Sequence, residues 1–434
     1  MSAGAPLRVA IVGAGPAGSA LSIFLARRGA KVTLFDDGRR PELLVGESLV
    51  PAVVPILQRL GIEERTAAFS RVKPGTTLIW SERDRVSFNF ARFAPAVWPY
   101  AYNVPRPHFD ETLLAHAVAS GVTRVAAKAR LEPAGGNGHG AELALSPETL
   151  AAAPALGGRQ PDLIVDATGR ARHAARVLGI GAHLGPRKDV AHFAHFEKFR
   201  WDEPAGQVVI IRGEAGWSWC IPLKDRLSVG IVLDQEAAAA LGRTPEERLP
   251  RAISANPWLA PIVGAGQRVT SVATYANYQL ISHRGLGPGW VMVGDAFGFV
   301  DPMLSPGIFL ALRSAEKVCH ALTPVLERRT PASPAALAAL LRPYAVTQSA
   351  ALAAWTDLVA YLYDGRLLAL IRAGREWMES GPNPVKTAMQ DHIERHIAMQ
   401  ATGVSTTSGY SRGLLRLLSR YGLRGVEPAD LKIR

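Results

Sequence analysis

The turn GAGPAG at residues 13–18 constrains this chain more than any other feature. It follows a short apolar run, LRVAIV (7–12), and opens a stretch of helical composition from Ala17 to Gly29. A second apolar run, KVTLFD (31–36), ends in an acid. Strand, glycine turn, helix and strand within about 30 residues make one βαβ unit. Gly13 permits the tight turn, Gly15 lets the backbone approach a pyrophosphate, and Gly18 lets helix and strand pack closely. Pro16 and Ala17 open the helix, whose free N–H groups and positive dipole end face that phosphate. Asp36, ending the second strand, is placed to accept hydrogen bonds from an adenosine ribose. NAD and FAD would satisfy this much equally well.

At 434 residues the chain is too long for one simple core, and 48% hydrophobic with 20% charged residues describes an ordinary soluble globular protein. The N-terminus carries no signal-peptide pattern. No apolar run approaches the ~18 residues expected of a membrane span. Cys220 and Cys319 form no CxxC pair, which speaks against a disulfide framework or zinc site and for a reducing cytoplasm. His192 and His195 lie three apart without a further ligand cluster and read as structural or surface histidines. The net charge of +12 draws in polyanions. No basic block is interleaved with aromatics, so an acidic protein partner, or simply an arginine-rich genome, accounts for the charge better than nucleic acid does. The tail SRGLLRLLSRYGLR sets Arg412, Arg416, Arg420 and Arg424 four apart on an amphipathic helix. That helix either packs on the body with its arginines in water or docks an acidic partner.

Further along, FDETLLAHAVASGV (109–122) reads as a helix, DLIVDATG (162–169) as a buried strand ending at a turn, and QVVIIR and LSVGIVL as strands of an antiparallel sheet. WVMVGDAFGFVDP (290–302) repeats the strand-then-turn pattern ahead of a long helix. Beyond about Ala332 the chain is rich in alanine and leucine and reads as mostly helical.

VDATGR (165–170) and VGDAFGFVDP (293–302) resemble the two later signatures of the FAD-dependent monooxygenase superfamily, and VPRPHFD (104–110) resembles another of its segments. The resemblance runs over most of residues 7 to 325 and fades in the C-terminal helices. It implies that Gly169, Gly294 and Asp295 serve the cofactor, Asp295 on the ribityl chain, and that Arg106 reaches it. The expected fold is α/β: a Rossmann-like FAD-binding domain of the aromatic-hydroxylase/halogenase type, an inserted mainly antiparallel β-sheet substrate domain, and a C-terminal helical region. The expected bounds are 1–78, 100–182 and 268–325 for the FAD domain, 79–99 and 183–267 for the substrate-side sheet, and 326–434 for the helices.

Four more segments resemble flavin-dependent halogenases. VGESLVP (45–51) matches their strap beside the flavin and brings in Glu47 and Ser48. VKPGTTLIW (72–80) matches their KxG segment and puts Lys73 on the catalytic lysine. GWSWCIP (216–222) contains WxWxIP, with Trp217 and Trp219. FVDPMLSPG (299–307) fits FxxPxxSxG through Phe299, Pro302, Ser305 and Gly307, with Ile308 following. The resemblance implies that reduced flavin and O₂ give a C4a-hydroperoxide, which chloride or bromide attacks to form hypohalous acid. Bulky Trp217 and Trp219 would keep the organic substrate from the flavin, although their alternation equally suits the buried face of a strand. Lys73 would present the oxidant to an aromatic carbon, for which an ammonium whose pKa falls on burial is suited.

Two positions depart from the family pattern. Leu304 stands where tryptophan halogenases carry a glutamate, which favours a phenol or pyrrole over free tryptophan. Pro306 stands where the backbone offers an N–H to halide beside Gly307, and proline has none. Losing that donor costs an anion about 1.5–3 kcal/mol. With no second GxGxxG for a nicotinamide, FADH₂ is expected from a separate flavin reductase. Phenolic and pyrrolic relatives often act on substrates tethered to acidic acyl carrier proteins, which would suit the basic tail. The alternatives are a flavin-dependent aromatic hydroxylase, which Pro306 favours and which would act on a free aromatic or a protein-bound side chain, a flavin-loaded binding protein without turnover, and a saturase or reductase acting on a prenyl chain.

Overall fold

The computed structural model describes all residues except 1–4, 137, 265, 277–278, 329–331, 382, 424–425 and 434. Its N-terminal strand, Arg8–Val12, lies at the centre of a six-stranded sheet. Lys31–Phe35 and then Thr123–Val125 follow on one side, Leu163–Asp166, Trp290–Met292 and Leu286–Gly287 on the other. Every pairing is parallel except the last. Parallel strands must be covered on both faces, which is why Val9, Ala10 and Ile11 are wholly buried.

Helix α1 (Pro16–Arg27) starts on a proline, whose missing N–H falls where no intrahelical bond is needed. The chain leaves it at Gly29, in the left-handed region at φ +84°. Together with α2 (Arg106–Ala119) and α3 (Gly307–Ala321) it seals the sheet. Leu21 and Leu312 are completely buried in this layer, and truncating either to alanine should cost about 2–5 kcal/mol.

A second sheet runs in the order Gln267–Arg268, Asp189–Glu197, Leu227–Asp234, Gly216–Pro222, Val208–Gly213, Gly75–Ile79, Arg85–Asn89, and Ala273–Ala276 also pairs with Asp189–Glu197. All pairs are antiparallel except Val208–Gly213 with Gly75–Ile79. The two-residue period splits the strand Gly216–Pro222 between two cores. Trp217, Trp219 and Ile221 join the large core that includes the first sheet, while Cys220 faces a smaller one with Val209, Ile211 and Val229.

Among the described residues four longer helices follow, α4 (Pro334–Tyr363), α5 (Arg366–Glu379), α6 (Pro384–Ala401) and α7 (Gly409–Tyr421). Helix α4 packs on α3 through residues such as Trp355, which is 1% exposed and stacks edge-on to Phe309. Among the described residues no helix is long and apolar enough to cross a membrane.

Candidate flavin and oxidant site

A cavity of about 420 Å³ lies between the two sheets. The glycine turn forms one end of it. Gly13 sits at φ +105°, and a Cβ there would be 2.5 Å from the Ala167 carbonyl oxygen. A Cβ on Gly18 would fall 2.0 Å from the Gly13 oxygen. Around Gly15, by contrast, a Cβ would meet no atom within 4 Å, and Gly15, Pro16 and Ala17 all line the cavity. Two glycines are therefore required by the protein's own packing. The third leaves open a space that a pyrophosphate at the N-terminus of α1 would fill.

Asp36 lies apart from the cavity lining. Its carboxylate accepts from Arg124 Nη2 at 2.8 Å, from Arg40 Nη2 at 3.3 Å and from the Gly38 N–H at 3.2 Å. Gly294 adopts φ +59° and packs on Ala17, while its neighbour Asp295 faces the cavity. Burial pushes the Asp295 carboxyl up to about 6, against the pull of Arg106 and Arg170. Among the described residues nothing hydrogen-bonds its carboxylate, which is the state expected of a group awaiting a ligand's hydroxyls. Arg106 lines the same wall. Its guanidinium is held in a fork by Asp110 through two 3.0 Å bonds and donates to the Val45 carbonyl. Gly169, at φ +58°, Gly307 and Ile308 close the ring.

The strap 45–51 crosses this cavity and exposes Glu47 and Ser48 to it. Glu47 Oε1 lies 2.8 Å from His195 Nε2, and both side chains are buried. Of the two readings of His192 and His195, structural or surface, the structure selects the buried one for both. Lys73 does not line the cavity. It stands directly behind the strap, where its ammonium donates to Ser48 Oγ at 2.8 Å and to the Leu49 carbonyl at 3.1 Å. It is 4% exposed with no carboxylate partner among the described residues, and burial lowers its pKa to about 7.

Trp217 and Trp219 both line the cavity, their rings 5.8 Å apart. Gly230 faces Trp219 across the sheet because any Cβ there would lie 2.2 Å from the indole. The Trp219 N–H donates to Ser228 Oγ, and the Trp217 N–H to Tyr363 Oη at 2.8 Å. Tyr363 in turn donates to Asp301, a fully buried acid that also accepts from Gln279 at 2.6 Å and from the Met303 N–H at 2.8 Å. Burial pushes Asp301 up to about 7.

From Asp301 the chain turns through Leu304 (φ +65°) and Ser305 (φ +58°) into α3. Two successive residues in the left-handed region are costly, roughly 1 kcal/mol or more each. Ser305 and Gly307 face the cavity; Pro306 is buried and outside its lining. No side chain caps the start of α3.

Several participants carried no assignment from sequence. Arg170 and Asp301 lie inside quoted motifs, but nothing local marked their partners. Tyr275, stacked under Arg170 at 5.4 Å, and Tyr363 had no local signal. Of the tail arginines, Arg412 and Arg416 lean on Asp357 at 2.6 and 3.8 Å, Arg420 lies over Tyr421, and Arg424 is outside the described residues. No group of three or more His, Cys, Asp or Glu among the described residues could hold a metal.

A glycine turn open at Gly15, an Asp295 carboxylate with no hydrogen bond among the described residues and a forked arginine around one cavity are the features of a dinucleotide-cofactor protein. The chain belongs to the FAD binding domain family, which matches residues 6–339. Within that family it is similar to flavin-dependent halogenases. It is 33% identical over 319 residues to a tryptophan 2-halogenase of Chondromyces crocatus, covering 71% of this chain and 59% of that one. It is 28% identical to a 1H-pyrrole-2-carbonyl-[peptidyl-carrier protein] chlorinase of Pseudomonas fluorescens, covering 71% and 73%. The chain thus spans 59% to 73% of the length of these two relatives. Among solved structures, the myxobacterial chondrochloren halogenase superposes with a TM-score of 0.71 at 27% identity, over 83% of each chain. The flavin-dependent brominase Bmp2 shares the fold, with a TM-score of 0.75 at 21% identity over 95% of this chain and 98% of that one.

Proposed function

We propose that this protein uses FADH₂ and O₂ to halogenate an electron-rich aromatic of phenol or pyrrole type, drawing FADH₂ from a separate reductase. The observation that carries this reading is Lys73. A lysine buried behind the strap, hydrogen-bonded to a serine that lines the flavin cavity and lowered to about 7, is half neutral near physiological pH. Reduced FAD, when bound, supplies the electrons by which O₂ becomes an oxidant for chloride or bromide. The protein's part is to move and contain that oxidant. Trp217 and Trp219 wall the cavity so that the organic substrate stays away from the flavin, and enclosure limits the escape of hypohalous acid into bulk water. Lys73 can donate a hydrogen bond to that acid when charged or, when neutral, take its halogen as a haloamine, the amine proton and the hydroxide of the broken O–halogen bond leaving as water. Glu47, held by His195, and Ser48 keep the strap in place beside it.

The similarity to a carrier-protein chlorinase and the net charge of +12 support delivery of the substrate on an acidic carrier protein. One observation favours a second reading, aromatic hydroxylation: Pro306 withholds a backbone N–H beside Gly307, where halide would otherwise be held. The deciding experiment mixes the photoreduced enzyme–FADH₂ complex with oxygenated buffer and follows flavin absorbance with and without bromide or chloride. Reoxidation kinetics that quicken with halide support halogenation; kinetics indifferent to halide overturn it in favour of hydroxylation.

A further inference from the structure

Two acids line the cavity between the sheets, Asp295 and Glu47. Among the described residues only Glu47 has a base hydrogen-bonded behind it. His195 Nε2 lies 2.8 Å from its Oε1, and no other described group bonds its carboxylate. The two side chains are just 4% and 6% exposed.

Backbone bonds also hold this place together. The Glu47 carbonyl accepts from the Val104 N–H at 2.7 Å, and the His195 carbonyl accepts from the Val269 N–H at 2.9 Å. The His195 N–H donates to Thr270 Oγ1 at 3.0 Å. For fastening the strap, an amide at position 47 would serve as well, without the desolvation cost of a buried carboxylate. A carboxylate against an imidazole adds one capacity that an amide lacks, the transfer of a proton.

Other titratable groups face the pair from a third element, the turn between the strands Gly216–Pro222 and Leu227–Asp234. There Asp225 and Arg226 pair at 2.6 Å. The Asp225 carboxyl is held low by its hydrogen bonds to Arg226 and also by the nearby His195. Arg226 is held high by its hydrogen bonds to Asp225 and also by Glu197 and Glu47. An acid near the histidine and an arginine near the glutamate match an imidazolium–carboxylate pair in charge.

Reoxidation of a reduced flavin gives such a pair a use. The anion FADH⁻, with O₂ and one proton, yields FAD and H₂O₂. With bromide as well it takes two protons and yields FAD, HOBr and H₂O. Two electrons leave the flavin in both cases, and in the second two more leave bromide. Protons must therefore be delivered inside a cavity that limits bulk water.

We infer that Glu47 is the general acid of this oxygen reduction and that His195 holds the proton it delivers. The Nε2 proton passes to the Glu47 carboxyl and from it to the reacting oxygen. The pair is left as a carboxylate and a neutral imidazole, and takes one proton back from water when product leaves. The inference rests on the reading that reduced FAD meets O₂ in this cavity, and not on halide.

The test mixes photoreduced enzyme with oxygenated, halide-free and weakly buffered solution at neutral pH, and follows flavin absorbance together with a pH-indicator dye. In the wild type the dye should report proton uptake only after the flavin has been oxidised, because the proton comes first from the pair. His195→Gln keeps a hydrogen bond to Glu47 but has no nitrogen that takes up a proton. Its flavin oxidation should slow by about tenfold or more, and proton uptake should coincide with it. Should that variant unfold or fail to hold FAD, Glu47→Gln replaces it, with the same slowing and coincidence expected. Oxidation of His195→Gln at the wild-type rate would leave the histidine a mere fastening of the strap and overturn the assignment. Uptake that coincides with oxidation in the wild type would also overturn it. FADH₂ that survives O₂ in the wild type would sink the flavin–oxygen reading and the general acid together. A lag in proton uptake with no response to added bromide would keep the general acid and remove the halogenase reading.

Discussion

The Lys73 ammonium donates to Ser48 Oγ across 2.8 Å, and Ser48 lines the cavity between the two sheets while Lys73 does not. The lysine is thus one hydroxyl away from the place where an oxidant would form, and sealed from solvent. Replacing it by alanine should abolish halogenated product, assayed by mass spectrometry with a phenolic acceptor, and leave the FAD dissociation constant and the rate of flavin oxidation within about twofold. Brominated product at a comparable rate would remove Lys73 from the chemistry.

The same lysine makes a prediction about stability and pH. Its pKa is about 7 in the folded protein against 10.5 in an unfolded chain. Below pH 7 it is charged in both states, and the folded state bears the full cost of holding a buried ammonium. Between about 7 and 10.5 the folded form is neutral while the unfolded form still binds a proton, so that cost fades as pH rises. The difference in Tm between Lys73→Met and wild type should therefore shift in favour of the wild type from pH 7 to pH 10, measured by calorimetry. A difference independent of pH would mean that Lys73 titrates normally.

The glycine turn separates packing from ligand binding. Gly15→Ala adds a methyl where the protein has no atom within 4 Å, so apo-protein Tm should hold while FAD binding weakens by about tenfold or more. Gly18→Ala drives a methyl to 2.0 Å from the Gly13 oxygen and should destabilise the apo-protein itself, by about 2 kcal/mol or more. If both variants lost only FAD affinity, the division of labour among these glycines would be wrong.

These contrasts show which parts of the site can be seen in sequence. Gly13, Gly15, Gly18 and Asp36 are legible because a βαβ unit is built from neighbours in the chain. Trp217 and Trp219 are legible because a two-residue period puts both on one face. The Trp217–Tyr363 hydrogen bond joins residues 146 apart, and the Asp301–Tyr363 bond residues 62 apart. No periodicity encodes such pairs; they exist only once α4 has packed against the sheet. Asp36 shows the opposite limit: its position was legible, but not its engagement by Arg40 and Arg124.

That long-range pair yields its own prediction. Tyr363→Phe leaves the Trp217 N–H buried without an acceptor and takes a donor from Asp301. A cost of about 1–3 kcal/mol in chemical denaturation is expected. In a Trp217→Phe background, where the N–H is absent, the same change should cost measurably less. Additive costs would show that the two side chains are not coupled.

Pro306 offers the sharpest test of halide use. Its φ of −77° is open to any residue, its carbonyl accepts from the Leu310 N–H, and it precedes Gly307 at the uncapped start of α3. Replacing it by alanine keeps that carbonyl, restores one N–H next to the Gly307 N–H, and loosens the unfolded chain at a cost of about 0.4–1 kcal/mol. If halide is held at this helix start, the added donor should tighten it by about 1.5–3 kcal/mol, or roughly ten- to a hundredfold. The measurement is the bromide concentration giving half-maximal acceleration of flavin reoxidation, compared between wild type and Pro306→Ala. A fall of that size would place the halide at Gly307 and explain why the wild type binds it weakly. An unchanged concentration, with acceleration still present, would put the halide elsewhere in the cavity. A variant that gains halide sensitivity the wild type lacks would show that Pro306 alone holds this fold to oxygen transfer.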